Sequence, residues 1–352
     1  HYSVVVSDEW RAVGDSRPRK HSGEQRRRAV GDSRPSKEHQ NRMASFTIDW
    51  QANPPSECRL GALTIGNFDG VHLGHAALLT SLREQARACA GPAVALTFDP
   101  HPLELLRPGN LPPVLTTLEE RTRVLRELGA DHVVILRATM EMLSLSAAEF
   151  LQKVIQHNFA AKALVEGPNF AFGHNREGTI HVLAKLASEA GIGLTVVPPI
   201  VIDVAEVSSS RIRAALLAGD VEAAARLLGR PYRLQGIVGT GQHRGATIGF
   251  PTANVEGQKT VTPGNGVYAV KTLIGSKNWS GAANVGPNPT FGEDARKVEI
   301  HVIDFHGDLY GQSLSVDFMQ RLRDTKPFAN VTQLVDQLHR DVETVQKLNL
   351  AS

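Results

Sequence analysis

A chain of 352 residues with 41% apolar content can bury more than one core, and its length suits two domains better than one. Two cysteines, Cys58 and Cys89, are too few for a disulfide framework or a cysteine-rich zinc site, which suits a reducing cytosol. The net charge of +2 does not mark a nucleic-acid binder: residues 1–42 carry ten Lys/Arg and six Asp/Glu, leaving 28 basic against 30 acidic groups, with no basic cluster after Met43.

In chain order, residues 1–43 form a polar segment in which RAVGDSRP occurs twice, at 11–18 and 28–35. Two copies do not make a solenoid, and so few large apolar residues predict a disordered tail. It reads more simply as a tail without function, or as a stretch ahead of a start at Met43, than as a basic RNA-binding arm. The N-terminus lacks the apolar region of a signal peptide, and the longest apolar stretch, 191–207, is interrupted by Pro198, Pro199 and Asp203. A soluble, cytoplasmic protein is expected, with no membrane partner.

From residue 60 the pattern alternates. Strands are predicted at 60–65, 94–98, 132–136, 163–165 and 194–197, with helices at 75–89, 118–128, 147–158 and 179–190, and this alternation implies a doubly wound parallel sheet over 44–216. LAGDVEAAARLLGRPY then reads as a short helical connector, 217–230, with Asp220 as N-cap and Gly229 as the residue that ends it. Over 231–352 short strands punctuated by glycine and proline, with a closing helix at 331–348, predict a small antiparallel barrel.

The densest motif is LTIGNFDGVHLGHAALL, which puts two histidines at a strand-to-helix junction, with Leu78, Leu82, Ala86 and Cys89 on one face of the helix. In an open α/β sheet ligands bind at this carboxyl edge, where helix N-terminal amides favour phosphate. The imidazoles can donate to phosphate oxygens as charge builds, and Gly74 permits close approach. HxxH alone could equally be a metal pair or two surface histidines. The glutamate of HExxH is absent, no cysteines complete a zinc site, and no GxxxxGK[ST] loop occurs.

The longer string, GNFDGVHLGH at 66–75, resembles the nucleotidyltransferase signature of the bacterial bifunctional riboflavin kinase/FAD synthetases. TFDPHP at 97–102, EGPNFAFG at 166–173 and VSSSRIRAAL at 207–216 resemble further motifs of that family, with Pro168 where an acidic residue is usual and Ser210 where threonine is commoner. The resemblance implies transfer of AMP from ATP to FMN, giving FAD and pyrophosphate. It assigns His72 and His75 to the ATP phosphates, Asn169 to ATP and metal, and Ser209, Ser210 and Arg213 to phosphates. Gly66, Asn67, Phe68 and Asp69 would shape the pocket beside Gly74. FMN phosphate is already a nucleophile at neutral pH, so positioning and charge stabilisation suffice.

GTGQHRGATIGFPTANV, with Gly241, Gly245 and Gly249 ahead of Pro251, resembles the family's riboflavin kinase signature, in which a glycine-rich loop covers nucleotide phosphates. By that resemblance Thr252 and Asn254 ligate Mg²⁺, and two positions apart on an extended segment they face one side. In RKVEIHVIDF, alternation puts Val298, Ile300 and Val302 on one face and Glu299, His301 and Ile303 on the other. Position alone reads Glu299 as a solvated face. The resemblance makes it the general base for the terminal ribityl hydroxyl of riboflavin. GVYAV, NVGPNPTF, DLYG and RLRDTKPF match further, the last bringing Arg323 toward a phosphate or the flavin.

The implied partners are riboflavin, FMN and ATP with Mg²⁺, and a transient homo-oligomer stays open. The rival readings are a riboflavin kinase whose first domain is a non-catalytic nucleotide- or flavin-binding module, and a flavin- or RNA-binding regulator.

Overall fold

The computed structural model describes residues 44–241, 244–288, 293–348 and 350; the expected tail and part of NVGPNPTF lie outside them. The first layer is a six-stranded sheet of β1 (Ala44–Asp49), β2 (Ala62–Ile65), β3 (Ala93–Asp99), β4 (His132–Arg137), β5 (Ala163–Glu166) and β8 (Gly193–Val196). Its order is β1-β4-β3-β2-β5-β8 and every pairing is parallel. The strand following β2 pairs on one side of it and β5 on the other, so the order reverses at β2, and a crevice opens there at the carboxyl edge.

The central strands are buried on both faces, as a parallel sheet covered by helices requires. On one face lie α1 (Leu73–Ala88) and α3 (Leu118–Glu127); between them in sequence comes the short α2 (Pro102–Leu106). The buried stripe of α1 runs through Leu79, Leu82 and Ala86. Leu78, expected on that stripe, is only partly buried at its flank, because one residue turns the helix by about 100°. The other face carries α4 (Met140–Leu143), α5 (Ala147–Phe150) and α6 (Ile180–Glu189). The helix expected over 147–158 is α-helical for four residues, behind a Ser146/Glu149 capping box, and π-helical over Leu151–Asn158. Edge strand β1 was not anticipated; its register on β4 ends at Asp49, which pairs with Arg137 at 2.9 Å.

Short hairpins β6/β7 (Ala171–Phe172, Gly178–Thr179) and β9/β10 (Val201–Ile202, Ala205–Glu206) precede α7 (Ser209–Leu217) and α8 (Val221–Leu228). Asp220 caps α8 by accepting from Ala223 N at 2.8 Å, and Gly229 ends it at φ +76°. This helix is more than a connector: Val221, Ala224, Leu227 and Leu228 are buried in one core with Ile212 and Leu216 of α7 and with barrel residues.

The barrel comprises β11 (Tyr232–Gly239), β12 (Ala253–Glu256), β13 (Gly266–Ile274), β14 (Lys277–Asn288), β15 (Glu293–Val302) and β16 (Ser313–Arg323), closed in the order β11-β12-β15-β14-β13-β16 and antiparallel throughout. A one-turn helix, α9 (Arg244–Thr247), interrupts the loop after β11, and α10 (Val331–Lys347) closes the chain. Sheet and barrel share a strap. Leu115 is in the core that contains the barrel interior, and Val114 O accepts from Val261 N at 2.9 Å. Among the described residues no helix is long and apolar enough to cross a membrane.

Candidate active sites

The first site forms where β2 ends at the reversal of strand order. Three residues of the turn hold positive φ: Phe68 at 46°, Gly70 at 85° and Val71 at 41°. For β-branched Val71 this is a strained conformation, which persists only where its surroundings over-determine it. Asp69 supplies one restraint. Its buried carboxylate accepts from Leu115 N at 2.8 Å and Thr116 N at 3.2 Å, and pairs with Arg213 at 2.9 Å. Gly70 N donates to Thr116 Oγ1 at 3.1 Å, and Ser209 Oγ donates to Asp69 O at 2.8 Å. Thus Ser209 and Arg213, expected at phosphates, both grip the loop, while Ser210 stands exposed in the first turn of α7. Arg213 also donates to Pro113 O at 3.0 Å.

His72 is the N-cap residue of α1 but makes no side-chain cap bond. Its ring stacks on His75, with centroids 3.7 Å apart and planes at 15°, and His75 meets the edge of Phe68 at 5.2 Å. The Nδ1 atoms of both histidines are buried without a partner. A Cβ on residue 74 would lie 3.1 Å from His72 Cε1, so Gly74 makes room for this ring. Burial, against the nearby Asp69 charge, pushes the His72 pKa down from 6.5 to about 4. Burial and the charges of His72, Arg121 and Arg230 hold His75 well below its usual value. Both rings are therefore neutral donor–acceptors at neutral pH.

Arg121 and Arg230 lie outside every motif read from the sequence, and Glu166, which opens EGPNFAFG, carries no role assigned there. Arg121 on α3 is buried; its hydrogen bond to Thr97 Oγ1 is long at 3.5 Å, and its Nε has no partner. Arg230, between α8 and β11, donates to Gly70 O at 2.7 Å and Val71 O at 2.8 Å. Glu166, at the end of β5, accepts from Ile65 N at 2.7 Å where the β2–β5 ladder has stopped, and burial holds its carboxyl protonated well above the usual range. Beside the loop, Gly66 and Asn67 line a cavity of about 410 Å³ whose walls include Phe98, Met142, Phe150 and Phe170. Asn169 stands exposed on its rim, 3.4 Å from Glu206 Oε2. Pro168 is exposed and belongs to none of these contacts.

The second site follows from barrel register. Glu299 of β15 lies opposite Asn254 of β12 and Asn284 of β14, so its side chain shares a face with both. Asn254 is buried, and a Cβ on residue 241 would fall 2.0 Å from its Nδ2; only glycine lets the loop pass there. Gly245 O accepts from Phe250 N at 2.8 Å, and a Cβ on residue 245 would meet Thr252 Oγ1 at 3.3 Å, so Thr252 and Asn254 both face the glycine loop. Gly249 turns at φ +85° ahead of exposed Pro251, whose carbonyl oxygen lies 2.9 Å from His301 Nδ1. A cavity of about 380 Å³ opens between Gly241, Asn254 and Val298. Arg323 is held elsewhere: its guanidinium pairs with buried Asp341 of α10 at 2.7 Å. Among the described residues no group of three His, Cys, Asp or Glu could hold a metal.

Sequence models of FAD synthetase and of riboflavin kinase match residues 55–211 and 228–349 respectively. The bifunctional riboflavin kinase/FMN adenylyltransferase of Escherichia coli strain K12 is 38% identical over 286 residues, 81% of this chain and 91% of that protein. The chain belongs to the bacterial bifunctional riboflavin kinase/FMN adenylyltransferase family. Another such relative, from Pseudomonas fluorescens, is 37% identical over 81% of this chain and 92% of its own length. A crystal structure described as a macrolide-efflux protein from Streptococcus pneumoniae superposes with a TM-score of 0.78 at 33% identity, covering 86% of this chain and 98% of its own. The bifunctional architecture therefore spans both sites of this riboflavin kinase/FMN adenylyltransferase homologue.

Proposed function

We propose that residues 231–352 phosphorylate riboflavin and residues 44–216 adenylylate the FMN so formed, with 217–230 joining them. The chain is a bifunctional enzyme of FAD synthesis. The observation that carries its adenylyl-transfer half is the stacked His72–His75 pair, with unpartnered Nδ1 atoms, at the reversal of strand order. These rings meet ATP phosphates, and Ser210, exposed at the N-terminus of nine-residue α7, adds a hydroxyl there. The apolar cavity beside Asn67 suits a flavin ring, with Asn169 at its rim. An FMN phosphate oxygen attacks the α-phosphorus of ATP, and the bond to the bridging oxygen breaks as pyrophosphate leaves. No protein base is needed, because the attacking phosphate is already ionised; neutral imidazoles donate to oxygens that gain charge.

In the barrel, Glu299 takes the proton of the terminal ribityl hydroxyl as its oxygen attacks the γ-phosphorus of ATP and ADP leaves. Thr252 and Asn254 offer neutral oxygens beside the glycine loop, a donor set that suits Mg²⁺ completed by substrate phosphates. That ion supplies charge neutralisation at the phosphates. Gly241, Gly245 and Gly249 let the loop backbone approach them. Arg323, bound to Asp341, acts by holding α10 against β16. The partners are riboflavin, FMN and ATP in a cytoplasmic setting, with no nucleic acid.

Full-length protein incubated with riboflavin, ATP and Mg²⁺, with products separated over time, should show FMN before FAD. Glu299→Gln should stop FMN formation and spare FAD formation from supplied FMN, and His75→Ala should do the reverse. If either substitution silenced both steps in folded protein, the division of labour would be wrong.

A further inference from the structure

We propose that Arg230, the residue that leads from α8 into the barrel, is a positioning residue for adenylyl transfer: it clamps the strained turn that carries His72 and His75. This rests on the reading of the first site given above.

The turn between β2 and α1 needs outside support. Phe68, Gly70 and Val71 all have positive φ, and Val71 is among the residue types that resist it most. Asp69 fixes the front of the turn through Leu115, Thr116 and Arg213. Its back presents two carbonyls, Gly70 O and Val71 O, immediately ahead of His72. Arg230 takes both: one terminal nitrogen donates to Gly70 O at 2.7 Å, and the other donates to Val71 O at 2.8 Å and Leu228 O at 3.3 Å. One planar cation thus ties the last carbonyl of α8 to the turn, a geometry that lysine cannot reproduce. Neighbouring packing is equally close, since a Cβ at Gly229 would come within 2.6 Å of Leu73 Cδ2.

The position carries charge as well as geometry. The charge of Arg230 acts on His72 and His75 and is itself acted on by Glu120, Arg123 and Glu127 from α3 and by Arg233 from β11; Asp69 also acts on His72, and Arg121 on His75. Burial is the main reason both imidazoles stay neutral, and the Arg230 cation adds to it by disfavouring their protonation. Adenylyl transfer, though assigned to the sheet layer, then depends on a residue supplied by the approach to the barrel.

The test uses full-length Arg230→Met and Arg230→Lys, with FMN formation, FAD formation from supplied FMN, and melting temperature measured for each. Expected for Arg230→Met is a loss of roughly 100-fold in kcat for FAD formation, the scale of an ångström-sized misplacement, with KM values for FMN and ATP changed far less. FMN formation should stay within about twofold, since Arg230 contacts no group of the second site. The acid limb of the FAD-forming pH profile should move to higher pH in Arg230→Met and stay in place in Arg230→Lys, which keeps the charge but recovers only part of kcat. Unchanged FAD formation in Arg230→Met would overturn the proposal. So would a matched fall of both activities with melting temperature in the two variants, since that is general support of the fold. Wild-type protein unable to make FAD from FMN would instead overturn the underlying reading of the first site.

Discussion

The two sites are assembled by different means. In the barrel, Asn254, Glu299 and Asn284 are neighbours because backbone ladders put them opposite one another. Around His72 and His75 no ladder sets the spacing. The turn is held by side chains from distant segments, with Asp69 and Arg213 separated by 144 positions in the chain and Gly70 and Arg230 by 160. Orphaned polar atoms follow the same division. His72 Nδ1, His75 Nδ1 and Arg121 Nε cluster at the first site, whereas among the described residues the barrel contributes Thr260 Oγ1. A register-built site tolerates most changes outside its reacting groups. A side-chain-built site that also keeps unpaired polar atoms responds to changes at every strut.

Arg121 offers the largest expected break in that comparison. A buried guanidinium with one long hydrogen bond destabilises the fold, so Arg121→Met should leave the melting temperature unchanged or higher. FAD formation should nevertheless fall by about 100-fold, the usual cost of losing one donor to developing phosphate charge, while FMN formation persists. A melting temperature several degrees lower, with both activities reduced together, would mean that Arg121 is internal scaffolding and that the first site holds no surplus donor there.

Acid stability sharpens the same contrast at a somewhat smaller scale. The His72 pKa is about 4 in the folded protein against 6.5 for the ordinary imidazole. Between those values the unfolded chain binds the extra proton, so stability is complete above pH 6.5 and declines as pH falls toward 4. The full contribution is about 3 kcal/mol. His75 adds to it in the same direction. Urea unfolding of wild type and His72→Asn at pH 7 and pH 4.5 measures it: the wild type should lose more stability than the variant. Equal losses would place the acid sensitivity elsewhere.

Local pattern made the elements legible. Alternating apolar runs and helical stripes marked β2 to β5, and Asp220 and Gly229 are chemically suited to begin and end a helix, as they do. The strings around His72 and around Thr252 were legible as motifs, and both lie at loops lining cavities or crevices. What pattern could not carry is partnership across the chain. Arg213 reads as one more cation on a helix until Asp69 is beside it, and Arg323 reads as part of a charge run until Asp341 of α10 is seen against it. Arg230 follows a helix-ending glycine, a position with no sequence signal for a clamp. β1 does alternate, with Ala44, Phe46 and Ile48 against Ser45, Thr47 and Asp49, but the pattern lasts only six residues and follows directly on the polar segment, so it is easily read as part of that approach.

Glu166 gives the smallest expected effect and the sharpest sign. It sits where the β2–β5 ladder ends, and its carboxyl replaces a backbone acceptor for Ile65 N. Because burial keeps it protonated, the folded protein retains a proton that the unfolded chain releases above the ordinary value of 4.5. Stability therefore declines as pH rises from 4.5, opposite to the histidine effect. Glu166→Gln keeps an oxygen acceptor for Ile65 N and cannot ionise in either state. Its melting temperature should exceed that of wild type by about 2 to 4 °C at about one pH unit above 4.5, corresponding to roughly 1 kcal/mol, and the gap should close near pH 4. A gap constant across that range would trace the difference to packing or the altered hydrogen bond, and the carboxyl would then be ionised in the fold despite its burial.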